Sequence, residues 1–213
     1  ASTPLLALPL PEGEGALEGV PAAADALVGG ALGRALERGD FRGKKEETLL
    51  LFPSQAGGPT RLLVVGLGKG EELDAETLRR ALGRAVRVAE GLRLTELSAW
   101  LDPAWPLGAA LASQAVTEGA VLAAWRFREL KTGEEPDGPT PEVASLSLFC
   151  QGDAKQARLG LRIGLAQARG ENLARTLQAR PGNLATPSHL AEEARRMGKE
   201  KGLRVTILGP KEM

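Results

Sequence analysis

The chain has 213 residues, 43% of them hydrophobic and 25% charged, enough apolar material for one large domain or one and a fraction. Its formal net charge is zero, so overall electrostatics make no case for nucleic acid or an anionic membrane. Cys150 is the sole cysteine, which excludes an intrachain disulfide and any CxxC metal or redox site and makes a cytoplasmic location the default.

No run approaches the roughly 20 apolar residues that span a bilayer. The opening ASTPLLALPLPEGEG has no basic region and is broken by prolines, unlike a secretory signal. Pro4 to Leu10 is then a first or edge strand. Ala22 to Arg38 has a helical pattern, with Leu27, Val28, Ala31, Leu32, Ala35 and Leu36 on one side. Gly29, Gly30 and Gly33 weaken that helix by about 1 kcal/mol each relative to alanine. A polar turn, Asp40 to Lys45, leads to a buried-strand candidate, Thr48 to Phe52.

Arg61 to Gly66 is a near-continuous apolar run, as in a strand covered on both faces. Asp74 is a good N-cap for a helix carrying Leu78, Ala81, Leu82, Ala85, Val86 and Ala89. Leu97 to Leu101 reads as a strand, and Asp102-Pro103 as an N-cap and N1 proline opening a helix to Trp125. Lys131 to Pro141 is loop-like, and Val143 to Phe149 alternates as a strand. From Asp153 a proline-free helix of roughly 40 Å is expected, with Leu159, Ile163, Ala166, Gly170, Leu173 and Leu177 as its apolar stripe. Pro181 stops it. A helix from Pro187 to Lys201 and a strand from Leu203 to Leu208 follow. Alternating strands and helices predict an α/β fold, a three-layer mixed sheet with helices on both faces, followed by a long linker helix.

The local motifs yield no active site. Gly66-Leu67-Gly68-Lys69-Gly70 has Glu71 where a dinucleotide fingerprint needs its third glycine, and neither Gly-Lys pair precedes Ser or Thr as a phosphate loop requires. It reads as a tight strand-to-helix turn. His189, the only histidine, sits in the first turn of a helix with Thr186 as N-cap, a junction position rather than that of a general base. Cys150 reads as a buried, inert thiol. Glu46-Glu47, Glu71-Glu72 and Glu134-Glu135 fall at turns, where solvated acids are expected. Trp100, Trp105 and Trp125 do not alternate with basic residues as a single-strand stacking platform would.

The run Asn172 to Pro187, NLARTLQARPGNLATP, followed by Leu190-Ala191-Glu192-Glu193-Ala194, resembles the domain junction of the leucyl (cytosol) aminopeptidase family. Weaker features agree in order: Asp40-Phe41-Arg42-Gly43-Lys44, Leu63 to Gly68, Glu118-Gly119-Ala120, Trp125-Arg126-Phe127 and Lys131. Thr176 and Ala179 replace the family's Asp and first Asn of the junction.

The resemblance implies a macrodomain-like N-terminal domain (residues 1–152), a linker helix (153–182) and the start of a peptidase domain (183–213). Arg175, Pro181, Asn183, Thr186 and Pro187 would be structural junction residues. It also implies that the catalytic half is missing, so no catalytic or metal residue is expected here and this part alone is expected to be inactive. The intact family uses two divalent metals, zinc or manganese, to hydrolyse the N-terminal peptide bond. The implied partners are the missing catalytic domain and other copies in a hexamer, with peptide substrate in the intact enzyme only and neither nucleic acid nor membrane. Alternative readings are an ADP-ribose or nucleotide-binding module, because Ala26 to Leu32 faintly resembles a glycine-rich ligand loop, and a DNA-binding domain, known in some relatives.

Overall fold

The computed structural model describes residues 2–13, 17–54, 57–130, 138 and 141–212. The elements in order are β1 (Leu6–Glu12), α1 (Gly19–Leu27), α2 (Ala31–Arg38), β2 (Thr48–Leu51), β3 (Leu62–Lys69), α3 (Ala75–Gly91), β4 (Glu96–Leu101), α4 (Gly108–Ala124), β5 (Ser145–Cys150), α5 (Ala154–Ala179) and α6 (Pro187–Lys201). They form two compact units, Ala1–Gly170 and Glu171–Met213.

The first unit is built on a sheet ordered β2-β3-β1-β4-β5. β1 pairs in parallel with β3 and β4, β4 pairs in parallel with β5, and β2 lies antiparallel on the edge of β3. Side chains alternate along a strand with a period of two, and here both faces are covered. Thus Leu63 and Val65 enter one core with Leu78, Leu82 and Val86 of α3 and Val116 of α4. Their neighbours Leu62 and Val64 enter a second core with Val28 at the C-cap of α1, Leu32 of α2 and Phe41. The sheet is therefore a middle layer between α3/α4 and α1/α2, a mixed three-layer α/β fold.

Helix starts follow local chemistry where a polar cap is present. Asp74 Oδ1 accepts from the Thr77 amide and hydroxyl, both at 2.7 Å, and these bonds hold its carboxyl below the ordinary carboxylate value. The expected helix from Ala22 to Arg38 is instead two helices. Gly29 and Gly30 adopt φ of +63° and +77°, turning the chain where side-chain-bearing residues would be strained. Asp102-Pro103 likewise opens a turn rather than a helix. Asp102 Oδ1 accepts from Ala104 N at 2.9 Å, Trp105 is buried in the core, and α4 begins only at Gly108. The edge position of β2 leaves all four of its residues half-buried, short of the burial expected.

α5 has its expected length but the opposite buried face. Leu159 and Ile163 are 47% and 39% exposed, whereas Ala157, Gly160, Gly164 and Ala168 are buried. A Cβ at Gly160 would lie 1.9 Å from the Ala110 carbonyl oxygen, and one at Gly164 would lie 2.5 Å from that of Gln114. α5 and α4 are therefore nearly backbone to backbone. The hydroxyl of Ser113 donates to the Ala157 carbonyl at 2.7 Å, and Gln114 Nε2 donates to Gln167 Oε1 at 2.7 Å. Gly119 repeats the device between α4 and α3, where a Cβ would lie 2.1 Å from the Arg79 carbonyl oxygen. Close approach, rather than side-chain hydrophobicity, selected this face.

The second unit contains the end of α5, the proline turn, α6 and the segment after it. The expected strand from Leu203 to Leu208 is absent from the described residues. No neighbouring strand takes its amide and carbonyl groups. The segment instead folds onto α6, with Leu203 N donating to Gly198 O at 2.9 Å and Val205 packed over Gly198. Leu190, Met197 and Val205 remain 46%, 39% and 38% exposed. Ile207 is half-buried.

Candidate functional site

In sheets of this kind ligands bind beyond the carboxyl ends of parallel strands, often at glycine-rich turns and helix N-termini. Both devices are present, the glycine-rich segment at this end of the sheet and a helix N-terminus near its amino end, where Leu27 O accepts from Ser54 N, and both are filled by the chain itself. At the end of β3, Gly66 N donates to Glu47 O at 2.8 Å, and Gly68 N donates to Gly43 O at 2.7 Å. A Cβ at Gly66 would lie 2.0 Å from Lys44 O, and one at Gly43, with φ +76°, would lie 2.9 Å from Pro11 O. The glycines of GLGKG thus admit the Gly43-Lys44 backbone against the strand end. The space a phosphate would need is occupied, but the run is not the tight turn expected: Gly66 to Lys69 belong to β3, and the 3-10 turn begins only at Gly70.

The second device is the start of α2. Asp25 Oδ1 accepts from the Leu32 and Gly33 amides at 2.9 and 3.1 Å. A carboxylate from α1 therefore sits where a ligand anion would be held, and it complements the positive end of the helix dipole. This arrangement disfavours the ADP-ribose reading of Ala26 to Leu32. Beside it lies an open groove of about 890 Å³, whose charged lining is Glu12, Asp25, Glu37, Arg38 and Arg42. The charges are mixed in sign and include no histidine, cysteine or serine that could act as a nucleophile or base. Among the described residues, no three of His, Cys, Asp or Glu converge to hold a metal ion.

The paired acids have separate partners. Glu47 Oε2 accepts from the Arg42 and Lys44 amides, Glu46 faces Arg80 at 3.7 Å, and Glu72 pairs with Lys45 at 3.3 Å. Glu71 lies in a single 3-10 turn, and Glu134-Glu135 and Lys131 lie outside the described residues. Cys150, the last residue of β5, is a free and half-buried thiol rather than a fully buried one. Trp100 and Trp105 are core residues. Sequence reasoning missed two buried acids. Glu118 on α4 pairs with Arg79 of α3 and accepts from Gln114 at 2.8 Å. Glu90 on α3 pairs with Arg126, and burial pushes its carboxyl above the ordinary value. In the sequence Glu118 and Arg126 stand only as parts of family-like motifs, and nothing there marks either acid as buried, since Arg79 and Arg126 lie 39 and 36 residues from their partners.

The junction residues lie in the second unit. Arg175 on α5 donates to Asn172 Oδ1 at 3.1 Å, and Thr176, where the family pattern has Asp, bonds back to the Asn172 carbonyl at 2.8 Å. The Pro181 carbonyl accepts from the Leu184 and Ala185 amides at 2.9 Å, closing the turn that contains the exposed Asn183. Thr186 caps α6 by accepting from His189 N at 3.2 Å, and Pro187 occupies the first helical turn. Arg180 Nη1 lies 2.6 Å from His189 Nε2. Because a guanidinium only donates, the imidazole nitrogen accepts, and the histidine is a turn-closing residue here.

Comparison with known proteins agrees with this architecture. The N-terminal domain of the cytosol aminopeptidase family matches residues 8–134. A protein of Roseiflexus castenholzii named "Probable cytosol aminopeptidase" is 36% identical over 179 residues, 84% of this chain but 36% of that relative. The bottromycin maturation enzyme BotP, also solved in complex with Mn, matches with TM-score 0.70 and 25% identity over 95% of this chain and 38% of its own. A tomato leucine aminopeptidase mutant shares the fold, with TM-score 0.81 and 22% identity over all of this chain and 43% of its own. The chain thus spans less than two-fifths of the length of its Roseiflexus relative. With its fold, its match over residues 8–134 and this relative in agreement, the chain belongs to the cytosol aminopeptidase family, whose N-terminal domain it carries.

Proposed function

We propose that this chain is the non-catalytic N-terminal portion of a cytoplasmic, metal-dependent aminopeptidase that releases N-terminal amino acids from peptides. The observation that carries this reading is the match of residues 8–134 to the family's N-terminal domain, with relatives that extend far beyond it. In the intact enzyme the catalytic portion would hold two divalent metals, zinc or manganese, whose Lewis acidity would make a bound water nucleophilic. Among the described residues no donor set for such ions is present, and no catalytic step is assigned to them.

Its own role is architectural: residues 1–152 contribute to hexamer assembly and to access to the active sites, 153–182 link, and 183–213 begin the peptidase domain. Arg175, Pro181, Asn183, Thr186 and Pro187 set the geometry of that junction. The exposed Leu190, Met197 and Val205 support this reading, because they are apolar positions on which the catalytic portion would pack.

Assay of the 213-residue chain on a leucine anilide, with manganese or zinc added, is expected to give no turnover. Metal-dependent hydrolysis by this chain alone would overturn the proposal. Fusion to the catalytic portion of the Roseiflexus relative is expected to yield a metal-dependent hexamer by sedimentation, and a monomeric fusion would remove the assembly role.

A further inference from the structure

The exposed face of α5 within the first unit carries two strips side by side. Between Asp153 and Glu171 the sequence contains Lys155, Arg158, Arg162 and Arg169 and no acidic residue. All four cations are exposed, and none is in an ion pair among the described residues. At 3.6 residues per turn they fall within about 60° of one another around the helix, and Leu159 and Ile163 occupy an adjoining sector of about 40°. The opposite side of the helix is locked against α4 by Gly160 and Gly164, so this arrangement is fixed.

Like charges at Arg158 and Arg162, spaced i,i+4, repel by a few tenths of a kcal/mol. The helices α3 and α6 instead place acids beside their arginines, as in Glu76–Arg80 and Arg196–Glu200. We propose that the exposed face of α5 is a docking surface for an acidic amphipathic helix of a protein partner. The carboxylates of that helix would lie along the basic strip and its apolar ridge against Leu159 and Ile163.

The basic strip runs along the helix axis for about 21 Å, with the apolar pair beside it over about 6 Å, a linear arrangement that matches a helix rather than a point-like ligand. A twofold pairing of α5 with a second copy would set four cations against four. A membrane surface would gain little, since only two large side chains and no aromatic ring are available for insertion. A nucleic acid would use the cations and leave the apolar strip uncovered. This surface does not rest on the aminopeptidase reading, and the experiment contains no activity assay.

The probe is a labelled helical peptide of roughly 18 residues, long enough to span the strips, with a leucine ridge flanked by glutamates. It is titrated by fluorescence anisotropy against the 213-residue chain. Binding is expected to weaken about tenfold for the Arg158→Glu/Arg162→Glu variant, and by several-fold for Leu159→Ser/Ile163→Ser or on raising salt to physiological strength. All four positions are exposed, and circular dichroism checks that the variants remain folded. The proposal is overturned if neither variant changes the affinity, or if a lysine-flanked peptide binds equally well. It is also overturned if the same variants instead abolish a dimer seen by sedimentation, binding to phosphatidylserine vesicles or binding to duplex DNA.

Discussion

The two compact units use apolar residues in opposite ways. In residues 1–170, Leu5, Leu8, Leu32, Leu78, Leu82 and Phe41 are wholly enclosed, because a sheet covered on both faces gives every side chain of an inner strand an interior to enter. Among the described residues of 171–213 only Gly198 is buried, while Leu190, Met197, Leu203, Val205 and Leu208 stand 38–58% exposed. A helix end, a turn and one further helix form too few layers to enclose a core. The first unit encloses a core of its own; the second has apolar surface to offer.

Substitutions of one kind should therefore have unequal effects in the two units. Leu82→Ala in the first unit is expected to cost about 2–5 kcal/mol in urea denaturation, by lost burial plus a cavity. Met197→Ala in the second should change the same transition by less than about 0.5 kcal/mol. Equal effects would break the contrast.

Next in size is Gly160→Ala, whose Cβ would meet the Ala110 carbonyl at 1.9 Å. The helices must separate, with an expected loss of about 1–3 kcal/mol, whereas Gly170→Ala, with nothing within 4 Å, should be neutral or slightly stabilising.

Removing caps should cost about 1 kcal/mol at each site but be read differently. Asp74→Ala lowers the global unfolding midpoint. Thr186→Ala mainly speeds amide exchange in the first turn of α6 and leaves that midpoint nearly unchanged.

The smallest effect is a dependence on pH in the first unit. Burial raises the folded-state pKa of Glu90, so the folded protein keeps that proton to higher pH than the unfolded chain does. The contribution of this group to stability therefore falls as pH rises from the ordinary carboxylate value through the raised one. The difference in urea midpoint between wild type and Glu90→Gln should move against the wild type over that interval. Movement in the other direction would show that pairing with Arg126 outweighs burial.

Much of the fold was legible because the relevant signals are local. The doubly covered run at Leu62–Val65, the Asp74 and Thr186 caps and the stop at Pro181 each depend on a few neighbouring residues. The junction motif carried the family in the same way, through residues adjacent in the chain. The errors share a different cause. Leu159 and Ile163 resembled a buried stripe because their spacing is helical, but spacing reports which residues share a face and not which face is covered. Nor did spacing single out Gly160 and Gly164, whose role comes from the Ala110 and Gln114 carbonyls set against them.

The same limit applied at the two glycine-rich segments. Sequence alone established that GLGKG departs from phosphate-binding patterns. Only the tertiary structure decided what fills it, the Gly43-Lys44 backbone, and what occupies the start of α2, the Asp25 carboxylate. Local propensity and periodicity are encoded within one or two helical turns, so the sequence determined most of the elements, their order and the family. Whether a face, a glycine or a buried acid meets solvent, backbone or a partner depends on contacts between distant residues, and these exist only once the layers have packed.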